Sequence, residues 1–478
     1  MTPAAPPADP PADPPADPKG RLSKENKAAL LATLKDGRQR AARGPSEAER
    51  GRDSSAPFPS ARQFADLPAY QDLKKQSAAA ELLGIENPFF RVHDGRAGAN
   101  TRIAGRSLVN FGSYDYLGFN QHPAVAAAAQ AAIETFGTSV SASRLVAGER
   151  ALHRQLERKL AALYDAEDAL VFVSGHATNV ATLGELLGPK DLILADALIH
   201  NSVLVGAELS GAARRAFPHN DLAALRDMLA ASRAQFDNVL IVVEGLYSMD
   251  GDLPDLPALV ELKRQFGAWL MVDEAHALGV LGAGGRGTAE HFGLDPRNVD
   301  IWMGTLSKTL AACGGFIAGS TALVETLKCR ASGFVYSVGM PAAMAAAALA
   351  ALDLMAREPA RVARLRGLSQ HFLALAKAAG LDTGLAEGFA IIPVMVGDSL
   401  RAAKLANRLF ERGFNVMPIV YPAVPMQSAR LRFFLAAEHR EAELAAAVAA
   451  TQEELARLAA QNFGLGGLLG APLPAQLR

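Results

Sequence analysis

The sequence predicts an α/β fold, with a large domain built on a mostly parallel sheet and a smaller α+β domain after it. Two observations carry that reading. Short apolar runs at 169–173, 192–195, 239–243, 270–272 and 301–303 alternate with Ala/Leu-rich stretches of helical length, the pattern of repeated βα units. Each run also stops at polar groups: Ser174-Gly175-His176, Asp196, Glu244, Asp273 and the segment from Thr305 to Lys308. Open α/β sheets bind ligands just beyond the carboxyl ends of their strands. Five polar strand ends are therefore expected to converge on one site.

Residues 1–18 repeat Pro-Pro-Ala-Asp, a composition too poor in apolar side chains to fold, and a disordered tail is expected. Residues 19–43 place Lys19, Arg21, Lys24, Lys27, Lys35, Arg38, Arg40 and Arg43 around an Ala/Leu-rich centre. That segment reads as a basic helix, either simply solvated or docking an acidic carrier protein or the phosphates of coenzyme A. A linker completes residues 1–60. An N-terminal segment at 61–110 leads into the large domain at 111–340. The small domain follows at 341–465, with helical stretches at 342–355 and 441–459, and residues 466–478 read as a loose tail.

Composition narrows the function classes. The chain has 478 residues, half of them apolar, and a formal net charge of -1, so nothing in the charge balance points to nucleic acid or an anionic membrane. No apolar run is long enough to span a bilayer. The N-terminus lacks the basic flank and apolar core of a secretory signal. Cys313 and Cys329 are the only cysteines, which excludes a disulfide framework and any cysteine-based metal spacing. A reduced, cytoplasmic setting is expected.

Two segments are the most informative, Met271-Val-Asp-Glu-Ala-His276 and Met303-Gly-Thr-Leu-Ser-Lys308. They bring a carboxylate, an imidazole, a hydroxyl and an amine to one rim of the sheet. That inventory suits pyridoxal phosphate, with Asp273 for the ring nitrogen, His276 for the ring hydroxyl and Lys308 for the aldehyde carbon. Ser174-Gly-His-Ala-Thr-Asn179 reads as a helix start whose small residues, Gly175 with His176 behind it, let backbone N–H groups approach a phosphate. Thr305 and Ser307 add hydroxyls beside Lys308. Gly282-Ala-Gly-Gly-Arg-Gly287 only loosely mimics a dinucleotide fingerprint, because no apolar strand leads into it, and reads as a turn. Asp273, His276 and His200 lack a second ligand pair at zinc spacing, so no metal is expected. His122, His153, His219, His291 and His439 read as surface or helix-capping residues.

In this order the segments resemble the fold-type I family of pyridoxal-phosphate-dependent transferases. From Asn110 to about His439 the chain is similar to one group within it, the α-oxoamine synthases. The carrying segments are Asn110-Phe-Gly-Ser-Tyr-Asp-Tyr-Leu-Gly-Phe119, Gly137-Thr-Ser-Val-Ser-Ala-Ser-Arg144, residues 196–200, Glu244-Gly-Leu-Tyr-Ser-Met-Asp-Gly-Asp252, and the two already named. The first of these looks closest to serine palmitoyltransferases. The resemblance implies decarboxylative condensation of a small amino acid (serine, alanine or glycine) with an acyl thioester, on coenzyme A or acyl-carrier protein, to give an α-amino ketone. It also implies a homodimer.

The same resemblance implies residue roles. Lys308 would hold the cofactor and later remove the substrate Cα proton. Asp273 would face the ring nitrogen, His200 would cover one face of the ring, and His276 and Ser248 would contact the ring-hydroxyl side. Arg432, in Tyr421-Pro-Ala-Val-Pro-Met-Gln-Ser-Ala-Arg-Leu-Arg432, would grip the substrate carboxylate, for which a guanidinium fork is suited. Arg430 reads as a surface strand residue. The chain departs from relatives at Val420, where 8-amino-7-oxononanoate synthases carry an arginine. It departs again in Pro422-Ala-Val-Pro425, which lacks the usual threonine, and in Tyr336-Ser-Val-Gly-Met340, where only Ser337 matches a hydroxyl-rich run. Two other readings stand beside this one. An aminotransferase, or another fold-type I enzyme, would need no thioester. A silent partner subunit would lack the lysine, which Lys308 argues against.

Overall fold

Thirteen strands organise the computed structural model, which describes residues 62–464. The basic segment, the Pro-rich tail, the linker up to residue 60 and the C-terminal tail expected at 466–478 lie outside the described residues. Two short strands come first, β1 (Asn100–Ile103) and β2 (Arg106–Asn110). The central sheet then uses β3 (Asp168–Phe172), β4 (Leu192–Asp196), β5 (Ala213–Phe217), β6 (Val239–Glu244), β7 (Trp269–Asp273), β8 (Ile301–Thr305) and β9 (Gly315–Gly319). After them come β10 (Ile391–Gly397), β11 (Phe414–Asn415), β12 (Met417–Ile419) and β13 (Ala429–Phe434).

The central sheet has the order β3-β9-β8-β7-β6-β4-β5. Neighbours from β8 through β5 pair in parallel, while β9 runs antiparallel to both β8 and β3. All five runs expected from the sequence are strands. Their residues are buried almost throughout, as in β4, β6 and β8, because helices cover both faces. Leu170, Ile193, Val242, Met271, Met303 and Ile317 pack against Leu183, Val203, Val324 and Leu327 from those helices. Edge strand β5 differs: Arg214 and Arg215 are exposed, which blunts a sheet edge that would otherwise pair with another chain.

Side chains that interrupt the apolar pattern start the helices. Ser174 accepts a hydrogen bond from Ala177 N–H (3.3 Å) at the head of helix Gly175–Leu186, and Asp221 and Asp255 cap helices Leu222–Ser232 and Leu256–Phe266 in the same way. Each satisfies a backbone donor the helix leaves free. The Gly282–Gly287 segment is a turn, in which Glu290 accepts from Gly284 and Arg286 N–H.

Beyond residue 341, helices Ala342–Arg357 and Glu441–Ala460 match the expected stretches, and β10-β13-β12 form an antiparallel sheet. Everything from Pro88 to Gln461 is one compact unit. Helix Pro68–Leu82 belongs to another and opens on a proline, whose missing N–H costs nothing at that position.

Two of the histidines expected to be surface or helix-capping residues are buried, one of them as a cap. His153 is fully buried; it caps helix Ala151–Leu163 by accepting from Arg150 N–H (3.1 Å), and its Nε2 lies 2.7 Å from Met340 O. His439 is buried as well and stacks on Phe111 with ring centroids 4.7 Å apart. His122 does cap, accepting from Ala124 N–H at the head of Pro123–Phe136.

Candidate active site

At the carboxyl edge of the sheet Asp273 ends β7, and both of its oxygens are fixed. Oδ1 accepts from Ala275 N–H and Oδ2 from the Asn179 amide, each at 2.9 Å. That amide also reaches Ser202 Oγ. Glu244 sits opposite Asp273 in register on β6. Its Oε2 accepts from Ser248 N–H (2.9 Å), and its buried Oε1 has no partner among the described residues. Burial first, and then the negative charge of Asp273, push the Glu244 carboxyl up to about 8. A carboxyl raised that far is mostly protonated at neutral pH.

Lys308 follows β8, with Nζ 5.8 Å from the centre of the Tyr114 ring. Burial pulls its amine down to about 8; Asp273 and Glu244 oppose the shift and Arg432 adds to it. A lysine so placed is a usable base near neutrality. His276 is buried, 2.7 Å from the Tyr116 hydroxyl through Nδ1, and its ring lies parallel to Phe434 at 6.2 Å. Burial, then the cations Lys308 and Arg432, hold it well below the ordinary imidazole range. His200 caps helix Asn201–Ser210. Its Nδ1 accepts from Ser202 N–H, with Ser202 Oγ at 2.7 Å. It meets the exposed His176 edge to face at 6.4 Å.

The head of helix Gly175–Leu186 has the make-up of an anion cradle. Its first N–H groups, at Gly175 and His176, have no acceptor among the described residues and point along the helix dipole. A Cβ at Gly175 would stand 2.9 Å from Thr305 Oγ1, so only glycine leaves that space open. Thr305 Oγ1 donates to Gly314 O (3.0 Å) and lies 2.7 Å from Ser307 Oγ.

Two arginines reach in from β13. Arg432 Nη1 donates to Ser248 O (2.7 Å), its guanidinium lies 4.6 Å from the Phe434 ring centre, and its buried Nε has no partner among the described residues. Arg430, expected on the surface, is buried and pairs with Asp250 (Nη1 to Oδ1, 2.5 Å) while donating to Met249 O (3.2 Å). The correction has a simple cause: the acidic partner lies on the loop after β6, remote in sequence. Together the two arginines fasten the Ser248–Asp250 turn to β13.

Lys308, Asp273, His276, His200 and Arg432 thus interact electrostatically in one place. Gly175, Thr305 and Ser307 meet at the head of the neighbouring helix, where His176 is also placed, and Ser248 is tied to Glu244 and Arg432. Sequence reasoning missed Asn179, Tyr114, Tyr116 and Phe434. Asn179 was readable in principle, because it lies one helical turn after Gly175 and shares its face. An open groove of about 700 Å³, lined by Leu152, Lys159, Ala346 and Asp353 among others, lies elsewhere and contains none of these groups.

The donor set fits pyridoxal phosphate: a clamped carboxylate, an amine of lowered basicity, a glycine-lined anion cradle and a buried guanidinium with an unpartnered N–H. That defines a class, the fold-type I enzymes that use this cofactor. The family described as aminotransferase class I and II matches residues 106–450. The 8-amino-7-oxononanoate synthase of Pseudomonas putida is 43% identical over 73% of this chain and 88% of its own length, and that of Geobacter sulfurreducens 44% identical over 74% and 91%. Serine palmitoyltransferase from Sphingomonas wittichii superposes with a TM-score of 0.79 at 29% identity, covering 84% of this chain and 99% of that one. The 8-amino-7-oxononanoate synthase structure from Francisella tularensis gives 0.64 at 26%, covering 73% and 98%.

The chain belongs to the α-oxoamine synthases of the class I and II aminotransferase family. Its cofactor is pyridoxal phosphate, and its reaction is the decarboxylative condensation of a small amino acid with an acyl thioester.

Proposed function

We propose that Lys308, Asp273, His276, His200 and Arg432 carry out this condensation. The observation behind the assignment is the Lys308 amine, lowered to about 8 between Asp273, Glu244 and Arg432. Pyridoxal phosphate, when bound, supplies an electron sink for negative charge at the substrate Cα. Asp273, locked by Ala275 N–H and the Asn179 amide, would set a charge against the ring nitrogen. Gly175, His176, Thr305 and Ser307 would hold the phosphate. His276 and Ser248 would contact the ring-hydroxyl side, and His200 would cover the ring. Arg432 grips the substrate carboxylate through the N–H groups that Ser248 O leaves free. That grip decides which Cα bond stands ready to break. Lys308 Nζ takes the Cα proton as general base. The acyl carbonyl carbon then bonds to Cα, the thiol leaves, and carbon dioxide departs.

The relatives' name narrows the substrates. In 8-amino-7-oxononanoate, cutting between the amine-bearing carbon and the ketone leaves the skeleton of alanine and a dicarboxylic acyl group. We propose alanine as the amino acid and a thioester of such an acyl chain as the donor. We also propose a homodimer in the cytoplasm. Leu145, Val146, Tyr336 and Val338 are exposed apolar side chains on two segments joined by the Gly339 N–H to Ala142 O hydrogen bond, a surface that a second copy would cover. Cys313 and Cys329 are free and exposed, which suits a reducing compartment.

Adding glycine, alanine and serine separately to the holoenzyme, while following its visible absorbance, tests the site. Alanine is expected to shift the band of the wild type. In Lys308→Ala the band of the free chain should be altered before any amino acid is added, and turnover lost with the fold intact. Turnover retained by Lys308→Ala would refute the assignment.

A further inference from the structure

We propose that Tyr116 is a positioning residue that locks His276 in the tautomer with its proton on Nε2, so that the ring presents a hydrogen-bond donor to the cofactor. The inference rests on the proposed role of His276. It follows from counting protons in a closed space. Tyr116 is fully buried, and its hydroxyl has one partner among the described residues, His276 Nδ1 at 2.7 Å. If Nδ1 carried the proton and donated, the tyrosine O–H would point at nothing, and a buried donor without an acceptor is costly. The tyrosine therefore donates, Nδ1 accepts, and the proton of a neutral imidazole must sit on Nε2.

Packing fixes the ring plane as well. His276 lies parallel to Phe434, and Tyr114 meets it edge-on at 6.0 Å. Besides Tyr114 and Tyr116, the charged or titratable groups around it are Lys308, Arg432 and His200. All three disfavour an imidazolium, so the ring stays neutral and the tautomer is what remains to be set. Tyr116 sets it through a bond that joins the segment before the first long helix of the unit to the loop after β7. No charge is needed for this device, only a hydroxyl with one place to send its proton.

The test compares wild type, Tyr116→Phe, His276→Gln and the double variant as holoenzymes. Two quantities are read, the cofactor dissociation constant and the pH midpoint of the visible band. Without the hydroxyl the imidazole can turn its lone pair toward the cofactor, and the ring oxygen, losing a donor, becomes more basic. Tyr116→Phe should raise the midpoint by about half a unit or more and weaken cofactor binding by about tenfold. Glutamine at 276 supplies an N–H whatever Tyr116 does, so adding Tyr116→Phe to His276→Gln should change neither quantity. If Tyr116→Phe has the same effect in both backgrounds, Tyr116 does not act through His276 and the proposal fails. If His276→Gln and Tyr116→Phe both leave the midpoint and the affinity untouched, the reading of His276 as a cofactor contact is what has failed, and this inference falls with it.

Discussion

Removing the Asp250 carboxylate should cost far more than its place on a loop suggests. Its partner Arg430 is buried, with Nη1 2.5 Å from Oδ1. Breaking a buried pair by deleting one partner costs about 3–5 kcal/mol, because the remaining charge is stranded. Here Arg430 keeps two carbonyl acceptors, Met249 O at 3.2 Å and Ser428 O at 3.1 Å. They place the expected loss for Asp250→Ala at the lower end, about 3 kcal/mol. Arg430→Met should cost a similar amount by stranding the carboxylate. The double variant Asp250→Ala/Arg430→Met strands nothing and should be more stable than either single change. Urea unfolding of the holoenzyme, followed by loss of visible absorbance, yields the three differences. A coupling within about 0.5 kcal/mol of zero would refute the reasoning, since that is the scatter of independent sites. The cycle has a functional side too. Arg432 is held by Ser248 O on the same turn, so Asp250→Ala should raise KM for the amino acid more than it lowers kcat.

Two further outcomes follow from single groups. Gly175→Val should weaken pyridoxal phosphate binding by about tenfold, roughly 1.4 kcal/mol, because its Cβ meets Thr305 Oγ1 at 2.9 Å; equilibrium dialysis checks this, and unchanged affinity would exclude the cradle. Glu244→Gln should change the pH dependence of stability. The folded carboxyl titrates at about 8 against 4.5 for the free group, so the folded state binds more protons between those values. The contribution is fully present below 4.5 and is lost as pH rises to about 8. Relative to Glu244→Gln, wild type should lose stability steadily across that window. A difference that does not vary with pH would contradict it. The buried Glu274, shifted in the same direction, is common to both proteins and cancels.

Much of the site was legible because each group follows an apolar run. Strand burial makes the run visible, and the polar residue after it marks the rim. The same logic explains the omissions. Strand β5 reads Ala213-Arg-Arg-Ala-Phe217, and its exposed arginines hide an edge strand behind a polar pattern. Strand β9 is short and bounded by Gly315 and Gly319, so its composition resembles a turn. Arg430 could not be seen as buried because its partner is contributed by another loop. His153 and His439 earn their burial from distant packing against Met340 O and Phe111, which no local window contains. Tyr116 lies inside a quoted segment, but its role depends on a hydrogen bond to a residue 160 positions away.

Product analysis tests the central claim most directly. Holoenzyme supplied with alanine and an acyl-coenzyme A should release carbon dioxide and free thiol in equal amounts, and form one α-amino ketone for each. Lys308→Ala should release neither. A keto acid formed from the amino acid with the thioester left intact would contradict the account and mark the chain as an aminotransferase.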